Sequence, residues 1–332
     1  MFRAKIAGTG MYVPEKVLTN DDLSKMVETN DEWITERTGI KERRIADLEK
    51  GEVTTEMARQ AAVQAIEAAG IQPNDIDCIL LCTTTPDYLL PNAAVILQQK
   101  LEMTNKCAAM DLVAACSGFV YGVNVGNSMI QSGMFKRILV CGAEFITNRV
   151  DFTDRNTCIL FGDGCGAAII ERNEDDSDSS EILSTIINSD GAGADFFIAE
   201  CGGSAMPMSH EGIDQGKQYM KMQGQAMFKT AVRTMAENSA KVLEMAQVPP
   251  EKVDWVVPHQ ANLRIIEVMA KQFKFPMDKV IVNIEKYGNT SAASVPIALH
   301  EAVTDGKIKK GDTVLLTAFG AGFTAGATLM RF

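Results

Sequence analysis

Three histidines, and eight cysteines without one C-x-x-C pair, leave little from which to build a zinc site. No apolar run approaches the roughly 18 residues of a membrane span. The opening residues 1–8 carry no signal-peptide core and read as a strand entering a turn. Positive charge is also in deficit. With 32 Lys plus Arg against 43 Asp plus Glu, the net charge is −11, which excludes a broad nucleic-acid surface. Any anionic partner must therefore meet a local basic patch. Aromatics are scarce at 6%, whereas 26 Gly and 18 Met point to close backbone packing with adaptable core filling. Most cysteines sit inside apolar strings, which fits reduced thiols and predicts a cytoplasmic location without a disulfide framework. At roughly 150 residues per domain, 332 residues predict two domains.

Internal similarity gives those domains a form. Residues 68–81 align with 245–258 at an offset of 177, each copy passing from a helix end through a Pro-containing loop into an apolar strand. A second match, Gly133 on Gly306, gives an offset of 173. Two nearly equal offsets indicate a duplicated unit. Each copy reads helix, strand, helix, strand: helices over 53–69 and 225–246, strands over 76–82 and 253–257. Further helices start near Cys116 and Ser291, and strands follow over 138–141 and 313–317. Buried strands alternating with helices imply two mixed α/β sheets with helices on their faces. The acidic stretch 171–181 reads as a solvated loop near the boundary, which divides the chain into 1–172 and 173–332.

The repeat also bears on chemistry. The 173 offset carries Cys116 onto Asn289, placing two polar residues at matching strand-to-helix junctions. Paired helix starts would bring backbone N–H donors and positive dipole ends to one cavity. Cys116 is a small buried hydrophobe on the bland reading. On the sharper one it is a thiol whose thiolate the helix N-terminus favours. His259 closes an apolar strand before a helix, where a side chain projects into a crevice, although a backbone-satisfied histidine explains it equally well. Asn289 alone would pass for a turn or N-cap residue. Gly8-Thr9-Gly10 lacks the third glycine of a dinucleotide fingerprint, and FGDGCGAA at 161–168 reads as a tight strand entry. Small residues in FGAGF at 319–323 would let backbone N–H groups approach a substrate oxygen, as an oxyanion hole requires.

ACSGF around Cys116, VPHQANLRI around His259 and YGNTSAASVP around Asn289 resemble the three active-site blocks of the β-ketoacyl-[acyl-carrier-protein] synthase III family, in the thiolase superfamily. The segment from Asn30 to Ile40, Asp154-Arg155 and FGDGCGAA resemble it too, so the likeness spans essentially the whole chain. It implies a thiolase-like duplicated fold, layered α-β-α-β-α, with the nucleophilic Cys in the first half and His and Asn in the second. It further implies decarboxylative Claisen condensation of a short acyl-CoA primer with malonyl-[acyl-carrier-protein] through an acyl-Cys116 intermediate, starting fatty-acid synthesis. His259 and Asn289 would stabilise the enolate, and the N–H groups of Cys116 and Ala321 would form the oxyanion hole. No metal or redox cofactor is implied. Ala321 departs from the family's three consecutive glycines, which puts the bending of that loop in question. The family further implies CoA contacts at Trp33, Arg37 and Arg155, with Trp33 and Arg155 flanking the adenine. It implies a homodimer in which Leu90 reaches the partner's acyl pocket. Arg264, Lys271 and Lys274 on a helix over 261–275, with Lys229 nearby, form the expected docking face for an acidic carrier protein.

Two rivals remain at this point. A specialised ketide synthase or acyltransferase would keep the fold and change the chemistry. A non-catalytic or NAD-type α/β protein would lack a reactive thiol.

Overall fold

A computed structural model describes residues 1–332. Two sheets organise the chain. The first contains, in spatial order, strands Arg3–Tyr12, Gly164–Asn173, Arg137–Glu144, Cys78–Cys82 and Ala108–Leu112. The second contains Trp255–Pro258, Thr313–Gly320, Thr324–Arg331 and Glu181–Asn188. Both are mixed, with parallel pairing at the Cys78–Cys82 and Trp255–Pro258 strands and antiparallel pairing elsewhere.

Strand alternation sorts the side chains into layers. Cys78, Leu80 and Cys82 face a central core, while Ile79 and Leu81 face an outer one. In the second sheet Val314, Leu316 and Ala318 meet the same central core, and Leu315 and Phe319 point outward. Helices Gly118–Gln131 and Ser294–Thr304 fill the centre through Phe119, Val123, Val295 and Leu299. Helix Thr54–Ala68 covers one outer face and helices Gly224–Ala246 and Leu263–Phe273 the other. The result is the α-β-α-β-α layering of a thiolase-like fold. No helix is long and apolar enough to cross a membrane. The Gly8-Thr9-Gly10 run lies inside a strand: a Cβ on Gly10 would sit 2.7 Å from the Ala65 nitrogen, so glycine lets this strand press against helix Thr54–Ala68.

The structure revises two expectations. The turn Ser291–Ala293 before the second central helix matches Ala115–Ser117 before the first, and Ser291 (φ 51°) matches Ala115 (φ 45°). The offset there is 291 − 115 = 176, so the counterpart of Cys116 is Ala292 rather than Asn289. Helix Ser294–Thr304 has 11 residues against 14 in Gly118–Gln131, and an alignment anchored at the glycines beyond the helix ends misses that difference. The acidic stretch is also not simply a solvated loop. Its residues 171–173 are strand, and the buried Asp178 pairs with Lys5 at 3.0 Å and Lys310 at 3.2 Å. The Ser180 N–H and then these cations hold its carboxyl well below the usual range.

Candidate active site

Cys116 sits in a tight elbow between strand Ala108–Leu112 and helix Gly118–Gln131. The left-handed Ala115 makes the reversal, and the second half of the chain holds the elbow in place. Ser117 Oγ donates to the Thr324 carbonyl and Thr324 Oγ1 donates to the Ala114 carbonyl, both at 2.9 Å. Gly320 passes so close that a Cβ there would lie 2.7 Å from the Cys116 nitrogen. The thiol is buried, and desolvation pushes it up to about 12, while hydrogen bonds from Ser291 and its own backbone pull the other way. The lowering expected from the helix end is therefore outweighed by burial.

His259 follows strand Trp255–Pro258, with its N–H on the Thr317 carbonyl at 2.8 Å. Its Nδ1 lies 2.6 Å from Ser294 Oγ, which also accepts the Gln260 N–H at 3.3 Å. Burial draws the imidazole down to about 3, so it is neutral at physiological pH. Asn289 is tied to the first half: its N–H donates to the Leu160 carbonyl at 2.8 Å, and its own carbonyl accepts the Gly162 N–H at 3.1 Å. Its Oδ1 accepts the Ser291 N–H at 2.9 Å, which orients the carboxamide and leaves its NH2 as a donor.

Cys116, His259 and Asn289 line one cavity of about 270 Å³ whose rim carries Trp33, Arg37 and Asn262. A second cavity of about 290 Å³ meets the first at Cys116 and is lined by Thr84, Ser291, Met220 and Ala321. A neutral imidazole, a carboxamide and a thiol at the junction of two cavities suit acyl transfer onto sulfur with hydrogen-bond stabilisation of a developing oxyanion.

Comparison with known proteins gives the family. Two family models match, "3-Oxoacyl-[acyl-carrier-protein (ACP)] synthase III" at residues 110–191 and its C-terminal region at 243–332. The chain is 47% identical over 329 residues to the β-ketoacyl-[acyl-carrier-protein] synthase III of Caldanaerobacter subterraneus subsp. tengcongensis, covering 99% of this chain and 98% of that protein. The crystal structure of 3-oxoacyl-[acyl-carrier-protein] synthase III from Aquifex aeolicus superposes with a TM-score of 0.91. Its identity is 48%, over 99% of this chain and 100% of that one. The chain belongs to the β-ketoacyl-[acyl-carrier-protein] synthase III family.

Against the synthase III pattern, Ala321 does not sit at positive φ; that conformation falls on Gly322 (φ 69°) and Phe323 (φ 47°). Its Cβ therefore adds no backbone strain to the loop. Trp33 is stacked by two guanidinium groups, Arg37 at 4.5 Å and Arg155 at 4.7 Å from the ring centroid. Arg155 also donates to the Glu28 carbonyl at 3.0 Å. Trp33 and Arg155 are thus in direct contact, and an adenine could slot between them only after Arg155 swings away. Leu90 lines neither cavity; it is 87% exposed, beside Leu89 at 87% and Tyr88 at 64%.

Lys229, Arg264, Lys271 and Lys274 are all exposed. The helix that carries three of them is shorter than 261–275: it spans Leu263–Phe273, and Lys274 is its left-handed cap. Glu267 falls between Arg264 and Lys271 on the same face, which is therefore less basic than the lysines and arginine alone imply. Arg264 Nε donates to the Glu36 carbonyl at 3.1 Å, beside the rim of the first cavity.

Ser294, Ser291 and Glu144 escaped sequence reasoning. Ser291 and Ser294 stand inside YGNTSAASVP, where hydroxyls two and five residues after Asn289 were the available signal. Glu144 ends an apolar strand and carries no such signal.

Proposed function

We propose that this chain starts fatty-acid synthesis by condensing a short acyl-CoA primer with malonyl-[acyl-carrier-protein]. The products are β-ketoacyl-[acyl-carrier-protein], CoA and carbon dioxide. The observation that carries this reading is the convergence of Cys116, His259 and Asn289 on one cavity, with a second cavity opening at the sulfur.

The first cavity, with Trp33 and Arg37 at its rim, takes the thioester-bearing arm of CoA and then of the carrier protein. The second takes the acyl chain. Cys116 sulfur attacks the primer carbonyl, the N–H groups of Cys116 and Ala321 donate hydrogen bonds to the resulting oxyanion, and CoA thiolate leaves. Malonyl thioester then enters, and loss of carbon dioxide leaves an enolate. Ser294 Oγ accepts the Gln260 N–H and has its own hydrogen to give to His259 Nδ1, and in that arrangement the ring hydrogen sits on Nε2. His259 Nε2–H and the Asn289 NH2 then hold the enolate oxygen, each worth about 2.7–4 kcal/mol in the transition state. The enolate carbon attacks the acyl-Cys116 carbonyl and releases the sulfur. The scheme calls for no metal or redox cofactor.

A homodimer is part of the proposal. Strand Ala108–Leu112 is a sheet edge; the exposed Val113 follows it directly, and the exposed Leu89 and Leu90 precede Asn92, whose side-chain NH2 donates to the Ala109 carbonyl at 3.1 Å, giving an apolar margin that a second copy would cover.

Intact-protein mass after incubation with a panel of acyl-CoAs tests the first half-reaction. Cys116 gains one acyl mass, Cys116→Ala gains none, and malonyl-[acyl-carrier-protein] then discharges the acyl-enzyme with release of carbon dioxide. Discharge without carbon dioxide would favour a specialised acyltransferase, and no acylation at all would end the reading.

A further inference from the structure

A buried carboxylate stands behind the nucleophile without a role in the scheme above. Glu144, at the end of strand Arg137–Glu144, is fully buried. Its oxygens receive only donors: Thr85 Oγ1 at 2.6 Å, Thr84 N–H and Oγ1 at 3.1 Å, Thr83 Oγ1 at 3.3 Å and Ser291 Oγ at 3.0 Å. The Thr84 N–H can only donate and the four hydroxyls are able to, a set that suits an ionised, acceptor-only carboxylate. Ser291 lines the second cavity beside Cys116, and its hydroxyl acts there to lower the thiol pKa. One hydroxyl therefore lies between sulfur and carboxylate, across the two halves of the chain.

The difficulty it addresses is electrostatic. Cys116 must become a thiolate to attack a thioester, but a second anion beside a buried carboxylate is repelled. We propose that Glu144 is a positioning residue that takes up the Cys116 proton through Ser291 and holds it while the sulfur is acylated. The Cys116 S–H proton moves to Ser291 Oγ as the Ser291 hydroxyl proton moves to Glu144 Oε1. The site then holds thiolate, hydroxyl and carboxylic acid, and its total charge is unchanged. The thiolate forms the C–S bond, and CoA leaves as a thiolate that takes its proton from solvent. When condensation later breaks the acyl–sulfur bond, the released thiolate regains the stored proton by the same route. Burial raises the Glu144 pKa above the ordinary carboxylate value, which brings its basicity toward that of the thiolate. The other titratable groups around the pair are Asp163, Cys82 and Cys165 facing Glu144, and His259 sharing the first cavity with Cys116. Asp163 titrates near 7.

This inference rests on Cys116 being the acylated nucleophile, but its test does not require condensation. Iodoacetamide labelling of Cys116 is followed by peptide mass spectrometry between about pH 7.5 and 9, above the Asp163 titration. Internal transfer makes the wild-type rate nearly flat across that window, because the pair's proton count does not change. Glu144→Gln leaves no acceptor, so the thiol must lose its proton to solvent, and the rate climbs about tenfold per pH unit. Ser291→Ala behaves the same way, and the double variant is no worse than either single one. Ala at that strained position is compatible with the backbone, since the matching Ala115 holds φ 45°. A purely structural role would lower the rate and keep the flat profile. A flat profile in either variant, or a steep one in the wild type, overturns the proposal. Failure of every acyl-CoA to acylate wild-type Cys116 would instead overturn the functional reading.

Discussion

Removing the Ser294 hydroxyl separates the two half-reactions. Ser294 is 2% exposed, and its oxygen holds His259 Nδ1 at 2.6 Å and the Gln260 N–H at 3.3 Å. Ser294→Ala deletes both hydrogen bonds and leaves two buried polar groups without a partner. The smaller bound on the catalytic effect is the net value of one hydrogen bond, about 0.5–1.5 kcal/mol, or roughly two- to thirteenfold. The larger bound is complete loss of the imidazole donor, about 2.7–4 kcal/mol, or roughly a hundred- to a thousandfold. The ring remains in place but its tautomer is no longer held, so malonyl decarboxylation falls by about ten- to a hundredfold. Acyl loading stays within about twofold, because no contact of Ser294 reaches the sulfur or the oxyanion donors. Carbon dioxide release from pre-acylated enzyme and single-turnover intact mass measure the two steps separately. Equal losses in both steps, or none in decarboxylation, would refute the assignment of His259 as an oriented Nε2 donor. Urea unfolding of the same variant reads the structural cost, about 1–3 kcal/mol for the orphaned groups.

Other tests follow from the same geometry. Ala321→Gly leaves loading within about twofold, whereas Gly322→Ala loses about 1–2 kcal/mol in urea unfolding, because position 322 is left-handed and position 321 is not. With only three histidines in the chain, NMR of labelled imidazoles is readily assigned using His259→Ala. His259 shows no titration between about pH 8 and 5, its folded value of about 3 lying far below 6.5. Since an unfolded His259 takes a proton below about pH 6.5 and the folded one does not, its burial costs stability as pH falls toward 3; an inflection near 6.5 in the folded protein would contradict this. Arg264→Glu raises KM for malonyl-[acyl-carrier-protein] by about tenfold and spares acyl-CoA loading; equal damage to both would remove Arg264 from the docking face.

Period and punctuation made much of this molecule readable. The alternation of Cys78 to Cys82 between two cores, the Ala-rich helix Thr54–Ala68 and the repeated helix–strand pattern are local properties, and the chain states them directly. Cys116 and His259 each stand where an apolar run breaks into a turn, whereas Asn289 follows a polar stretch and was legible only through its offset from Cys116 and the family resemblance. Offset counting was less dependable: it paired Cys116 with Asn289 because a helix three residues shorter in the second half is invisible until both helix starts are seen. What lies 147 residues apart in sequence could not be inferred at all. Glu144 meets Ser291 only because the two central helices start against each other between the sheets, and such a hydrogen bond depends on packing, not on either segment's own preferences. The same holds for the acidity of Cys116 and His259, whose helix-end and strand-end positions are local but whose burial is created when the halves close together.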